Sequence, residues 1–567
     1  MLNKNFPVPK TETNPIKMRF GLLCNSLVLE RWQAESIRLL RENGIELSLI
    51  VLKDEPPQSK PGFGQWLRSY PFHQLLFRLW NRFLFRPKSK ATVDISTKVE
   101  GIEQLLCRTT NIGVSTIFKD EDVDLIKSRK LDFLLRFGFN IIRGDILQAA
   151  KYGVWSFHHD DERQVRGGPP GFWEFMQRHE YNGVILQQLN EKLDKGHILK
   201  RQFCKVITHS YAAHLDQLYF ESCQMPLQHC RELAANAEYK AEVSQSKASI
   251  KHPPNNWQML NYLLKSVSRR IGFHLHDLFQ QEDWNIGWIQ APLQSVIDSP
   301  EAHLAQAKWF KKPNASTYLA DPFIIEFRGE NYLFYELYDY RKGKAVLACR
   351  LASEDFGHQH IVLEEPHHLS FPFVFEYEGE LYCTPESYSA NKLSLYRFNT
   401  EKRQLVWEKD LLSNMAVIDP VLEQYEGRWY LFFTLKDLPS VHLYVYYADS
   451  PHGPFTAHAN NPVKSDIRAS RPAGAFITLS NKLLRPAQDC SLHYGRAVEL
   501  LEIKKLSPQH FEEKAVKRLM PLPTYTYNKG LHSLNGNAHF TVIDGKRFTF
   551  TLAGFWHQLQ LKLNKKA

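Results

Sequence analysis

The residues best suited to chemistry lie between positions 153 and 198. A short apolar run, residues 154–157, ends in His158. The chain then turns through His159-Asp160-Asp161-Glu162 and the loop Arg166-Gly167-Gly168-Pro169-Pro170, and a helix is predicted from about Phe172. A second apolar run, residues 183–189, leads to Leu193-Asp194-Lys195-Gly196. An imidazole titrates near neutrality and can move a proton when a carboxylate accompanies it. Ligands of open α/β sheets bind at the carboxyl ends of strands. The pattern therefore predicts a proton-transfer site built from His158 and Asp194. His159, Asp160 and Asp161 read as turn residues beside it, and no metal is assigned.

The elements that must position this site read as α/β. Residues 19–25 and 45–52 are short buried-type strands, and residues 32–43 between them have helical periodicity and stop at Gly44. Residues 131–137 form a further strand that ends at Gly138. This predicts a doubly wound, mostly parallel sheet. No GxGxxG follows Gly21, which argues against a dinucleotide site. Residues 72–86 are aromatic, leucine-rich and basic, with Arg78, Arg82 and Arg86 at helical spacing. They predict an amphipathic helix, either docked on the sheet or lying on an anionic membrane surface. Residues 207–280 carry helical patterns interrupted by a polar stretch at 234–249, read as a helical linker over 211–283.

At the strand-end residues the chain resembles the folate-dependent formyltransferases, which include the methionyl-tRNA, glycinamide ribonucleotide and sugar-nucleotide enzymes. Ser156-Phe157-His158 stands where that family has Asn-x-His. Arg166-Gly167 stands at its Arg-Gly, and Leu193-Asp194-Lys195-Gly196 at its Leu-Asp-x-Gly. The resemblance implies His158 as the catalytic histidine, Asp194 as its partner and 10-formyltetrahydrofolate as formyl donor. It also implies donor contacts from Phe137, Gly138, Phe139, Arg166 and Gly167, and no metal. Ser156 replaces the family's asparagine, so the resemblance implies that its hydroxyl, with one donor rather than two, takes that residue's part in binding the developing oxyanion, and the acidic run after His158 replaces the family's Ser-Leu-Leu-Pro.

Composition bounds the partners. The 567 residues suffice for two or three domains, and the net charge of +10 favours an anionic partner. The 71 basic residues are nearly balanced by 61 acids, so no single-sign run marks a nucleic-acid protein. The eight cysteines are scattered without a CxxC, which predicts reduced thiols in a cytosolic compartment. Residues 1–17 lack an apolar run and read as a flexible N-terminus, neither signal nor anchor.

The second half repeats. Pro322, Pro372 and Pro420 each precede a glycine (Gly329, Gly379, Gly427) by seven residues, and Tyr332, Tyr382 and Tyr430 follow at equal offset. Each unit reads as two strands joined by a glycine turn. With weaker copies at Arg471-Pro472 and near Ser533, the period of about fifty residues predicts an all-β five-bladed propeller over 284–555. Residues 284–287 are expected as the outer closing strand, Asp544-Gly545 as the last hairpin turn, and 556–567 as a basic tail. This half resembles the propeller module at the N-terminus of plant glucosamine inositolphosphorylceramide transferases and, more distantly, five-bladed furanosidases. Asp321, Glu386, Asp419 and Arg471 are the funnel candidates, expected to bind a glycan rather than hydrolyse one.

Together these readings predict an enzyme that moves a one-carbon formyl group to an amine, on an amino-sugar nucleotide or lipid-linked glycan, during surface-polysaccharide or glycolipid assembly. It is expected in the cytoplasm, at the inner face of the membrane if residues 72–86 dock there. Alternatively, the Asn-to-Ser replacement retires or alters formyl transfer, and the propeller binds or processes glycan.

Overall fold

The computed structural model describes residues 16–54, 70–113, 115–191, 196–235, 242–244 and 248–564. The chain divides into two compact units between Ile271 and Gly272.

The first unit is built on an eight-stranded sheet. Its strands are β1 (Arg19–Cys24), β2 (Glu46–Lys53), β3 (Glu103–Cys107), β4 (Phe133–Arg136), β5 (Val154–His158), β6 (Tyr181–Gln188), β7 (His197–Lys205) and β8 (Glu242–Val243). Their spatial order is β3-β2-β1-β4-β5-β6-β7-β8. The first five run parallel, and β6, β7 and β8 are antiparallel additions. The apolar runs in β1 and β4 are buried on both faces, as central parallel strands require. One face packs on α1 (Arg31–Glu42), α5 (Tyr211–Ser222) and α6 (Met225–Ala234). The other packs on α3 (Asp120–Ser128) and the turn at Asp145–Gln148. Helix α1 opens with a capping box between Glu30 and Gln33 and ends before Gly44, whose φ of 84° is the left-handed value favoured just past a helix.

Two short helices complete the unit's description: α2 (Leu75–Phe83), from the basic aromatic segment, and α4 (Phe172–Gln177), after the glycine-proline loop. Residues 211–234, expected in a linker, belong instead to the sheet's own core. Leu218, Met225, Leu227 and Cys230 are buried there with Trp155 and Phe133. Their polar neighbours hid this in the sequence, because His214, Gln228 and Arg231 are buried as well. Only α7 (Asn256–Phe279) runs on from this unit into the second.

The second unit contains five antiparallel sheets with four principal strands each, over residues 317–363, 370–413, 417–457 and 477–519 for the first four. The fifth joins Leu534–Gly536 and Thr541–Thr549 to Gln281–Ile289 and Lys308–Trp309, so both ends of the unit close one sheet. Residues 284–287 are therefore in its third strand, and Lys308–Trp309 is the outer one. Asp544-Gly545 is mid-strand rather than a turn. A β-carbon at Gly545 would lie 2.5 Å from the Trp309 ring, which accounts for the glycine there. All eight cysteines are buried free thiols.

Candidate active site

Strands β4 and β5 are parallel neighbours with Arg136 opposite Ser156, so both end at the same edge. The order β2-β1-β4 makes β1/β4 the point where strand order reverses, the usual ligand crevice of such sheets. A cavity of about 270 Å3 opens there. Trp32, Phe137, Phe157 and Tyr219 supply aromatic walls, and Asn25, Gln33, Arg136, Asn140, Ser156 and His159 supply polar groups; His158 is not among the lining residues. Gly138 is tightly placed: a β-carbon would lie 2.5 Å from Asn25 Oδ1 and 2.8 Å from its backbone nitrogen. A larger cavity of about 630 Å3 lies at the opposite, amino ends of these strands and offers no imidazole.

Arg136, which sequence reading passed over, is the cation of this edge. Its Nε donates to Ser156 Oγ (3.3 Å), and Nη1 donates to the carbonyls of Gly138 (3.3 Å) and Asn140. Among the described residues Nη2 has no hydrogen-bond partner. Burial lowers the Arg136 pKa to about 10, so the side chain still carries its charge near neutrality. The signal in the sequence was a single arginine at the end of an otherwise apolar strand.

His158 ends β5 with a quarter of its side chain exposed, and its Nε2 lies 3.9 Å from Asp160 Oδ2. Asp160 is buried rather than a surface turn residue. Its Oδ1 accepts the Gly171 backbone N–H at 2.8 Å, and its Oδ2 has no hydrogen-bond partner among the described residues. Burial pushes its pKa up to about 6, opposed by the His158 charge and the Gly171 N–H. Glu174, the next acid inward, is also buried with neither oxygen hydrogen-bonded among the described residues. Burial and then the Asp160 charge hold its carboxyl well above the usual range, in the neutral form. Two adjacent carboxyls whose pKa values are driven apart can act as an acid and a base.

The rest of the acidic run is structural. Glu162 makes a two-pronged pair with Arg201 (2.9 Å each), and Asp161 pairs with Arg163. His159 is buried against Ser222 Oγ (3.1 Å), and burial holds it neutral. Asp194 lies outside the described residues.

Three of the five expected donor residues fall elsewhere. Arg166–Gly167 form a short ladder with Ile250–Lys251 and do not line the cavity. Gly167 has φ of 100°, and a β-carbon there would lie 2.1 Å from the Lys251 carbonyl, so the glycine serves this close approach. Phe139 is buried in the core beneath, with its N–H donated to Asn25 Oδ1 at 3.0 Å. Phe137 and Gly138 do line the cavity.

In the second unit the repeated X-Pro positions share one distortion. Asp321, Phe371 and Asp419 have φ of 52°, 44° and 47°, each at a break in strand register. Such bulges re-aim backbone groups. Each bulge N–H is taken by a carboxylate of the preceding sheet: Asp321 N by Asp544 (3.2 Å), Phe371 N by Asp321 (3.1 Å) and Asp419 N by Glu386 (2.9 Å). Asp419 also receives Arg471 Nε at 2.5 Å and Gln488 Nε2 at 2.7 Å. The imidazole of His532 sits 2.9 Å from Asp321 and 2.7 Å from Asp544. Asp321, Asp419 and Arg471, and Glu386 through one carboxylate oxygen, are thus engaged in sheet-to-sheet cross-links.

Glu336 and Glu386 lie next to Asp321 and Asp419 respectively. Burial, then the neighbouring Asp321 and Asp419 charges, push both carboxyls well up into the neutral form. Half-buried Tyr338, His368 and Tyr388 stand beside them. Neutral carboxyls with aromatic and imidazole neighbours make a polar, stacking surface suited to a sugar. Glu336 was not among the principal sequence candidates, although it shares Glu386's place in the repeat.

Residues 298–549 match the family model for the N-terminal part of glucosamine inositolphosphorylceramide transferase 1. The chain is similar to glucosamine inositolphosphorylceramide transferase 1 of Oryza sativa subsp. japonica, 34% identical over 233 residues that cover 39% of this chain and 30% of that protein. A shorter likeness is to methionyl-tRNA formyltransferase of Prochlorococcus marinus strain MIT 9312, 29% identical over 85 residues that cover 15% of this chain and 26% of that one. Among solved structures, Zg3597, a family 117 glycoside hydrolase of Zobellia galactanivorans, aligns with a TM-score of 0.32 and 14% identity, over 49% of this chain and 92% of that one. The chain spans about a third of the length of the transferase relatives it matches.

Proposed function

We propose that the protein is a transferase of glycan or glycolipid assembly. Its α/β unit moves a formyl group from 10-formyltetrahydrofolate to the amine of an amino sugar, and its five-sheet unit binds glycan. The observation that carries this reading is Arg136 hydrogen-bonded to Ser156 beside an aromatic-walled cavity at the ends of β4 and β5, with His158 two residues beyond Ser156 on the same strand. The polar groups of Asn25, Gln33 and Asn140 and the rings of Trp32 and Phe137 in this cavity would suit the flat, hydrogen-bonding ring end of the donor.

The bound donor supplies an activated formyl carbon. His158 takes the proton that the acceptor amine loses as the new N–C bond forms, and returns it to the departing nitrogen. Arg136 Nη2 and the Ser156 hydroxyl donate to the oxygen on which negative charge collects, the work an asparagine amide does in the resembling enzymes. Asp160 balances the charge His158 acquires, from 3.9 Å away. Glu336 and Glu386 bind sugar hydroxyls in the second unit. The relatives named as transferases support the glycolipid side of this reading, and the short formyltransferase likeness supports the one-carbon side.

The test incubates the full chain with 10-formyltetrahydrofolate and amino-sugar nucleotides and follows formylated product by mass spectrometry. Product that disappears in His158→Ala supports the reading. Formyl transfer unaffected by that change contradicts it.

A further inference from the structure

Helix α2 and the first four turns of α7 are held side by side. Asn256 Oδ1 accepts the Leu76 N–H at 3.0 Å, and Asn256 Nδ2 donates to the Phe72 carbonyl at 2.8 Å. Trp80 and Tyr262 meet edge-on at 5.2 Å and face inward, onto Tyr211. The inner faces of both helices are therefore already packed.

Each helix carries a second apolar stripe that is left exposed among the described residues. On α7, Trp257, Leu260, Leu264, Val267 and Ile271 recur every three or four residues, and Trp257 is 78% exposed, Leu264 66% and Val267 60%. On α2 and the turn before it the stripe is Phe72, Leu76, Leu79 and Phe83, with Phe83 61% exposed. A contiguous bare surface of this kind on a folded domain marks an interaction site.

Charge identifies the occupant. Residues 71–91 and 243–276 contain no aspartate or glutamate. Arg78, Arg82 and Arg86 accompany the first stripe, and Lys265 and Arg270 fall on opposite flanks of the second. A self-paired coiled coil would want opposite charges beside such a seam, and there are none. No helix among the described residues is long and apolar enough to cross a membrane. We propose that this two-helix face docks on the surface of an anionic lipid bilayer, with both stripes lying in the headgroup region and the basic side chains reaching phosphates. Residues 72–86 alone suggest half of this surface, and the larger half comes from a helix that sequence reading took for a linker.

Flotation of the full chain with phosphatidylcholine vesicles, with and without phosphatidylserine, tests the proposal. Binding is expected only with the anionic lipid and should fall as salt rises to about 0.5 M. Leu264→Glu and Phe83→Glu should each lower the bound fraction roughly tenfold. Leu125→Glu, also at an exposed apolar position, should leave it unchanged. Unchanged circular dichroism separates lost docking from misfolding. Absence of binding to anionic vesicles overturns the proposal, as does a stable dimer in sedimentation velocity that Leu264→Glu dissociates.

Discussion

Replacing Asp160 by asparagine separates function from stability. Asp160 is buried and its pKa is raised from 3.8 to about 6. The folded protein therefore holds a proton here that the unfolded chain has released. Stability falls as pH rises from about 4 to about 6, and the displacement corresponds to about 3 kcal/mol above that window. Asparagine keeps an oxygen for the Gly171 N–H, carries no charge, and does not titrate. Asp160→Asn should thus match wild type near pH 4 and exceed it by about 3 kcal/mol at pH 8. Urea midpoints read by pulsed hydrogen exchange of β5 and β6 peptides isolate the α/β unit for this comparison. The same variant should lose roughly a hundredfold in kcat, because His158 then gains a proton with no nearby anion. A variant that is less stable at pH 8, or a gap that does not change between pH 4 and 8, would refute the assignment of Asp160 as a buried charge retained for His158.

Other changes probe the remaining parts. Arg136→Met should lower kcat by about two orders of magnitude with little change in KM, as removal of an oxyanion donor does, in steady-state formyl transfer. His532→Gln leaves Asp321 and Asp544 buried and unbalanced, and should cost about 3–5 kcal/mol in urea unfolding of the five-sheet unit, read on the 541–549 strand. In wild type the His532 pKa is raised to about 10 by those two carboxylates against its burial. Its contribution should be full below about pH 6.5 and vanish as pH rises through 10. Gly167→Ala forces a side chain against the Lys251 carbonyl and should speed exchange of the Ile250–Lys251 amides without abolishing donor binding, since this ladder does not line the cavity.

Parts of this structure were legible because local chemistry and fold agree. The first β-α-β passage announces itself by two apolar runs and the stop at Gly44. The five sheets announce themselves by proline, glycine and tyrosine at fixed offsets. The acidic run 159–162 misled because its partners, Gly171, Arg201 and Ser222, are distant in sequence, so a buried network looked like a charged turn. Asp544-Gly545 misled because that pair is a common hairpin turn, whereas here the aspartate reaches His532 and the glycine admits Trp309. Arg136 escaped notice because only the pairing of β4 with β5 sets it beside Ser156. Glu386 was legible beside Asp321 and Asp419 from its place in the repeat, whereas Glu336, at the same place one sheet earlier, was not singled out for the funnel.

The central claim is formyl transfer at the ends of β4 and β5. Its most direct test is single-turnover transfer from isotopically labelled 10-formyltetrahydrofolate to an amino-sugar nucleotide by the full chain, with wild type, His158→Ala and Arg136→Met compared under one set of conditions. Label should appear in the sugar with wild type and fall by at least about a hundredfold in both variants. Label retained in the donor by the wild-type protein across the amino-sugar series, or transferred equally well by His158→Ala, would contradict it.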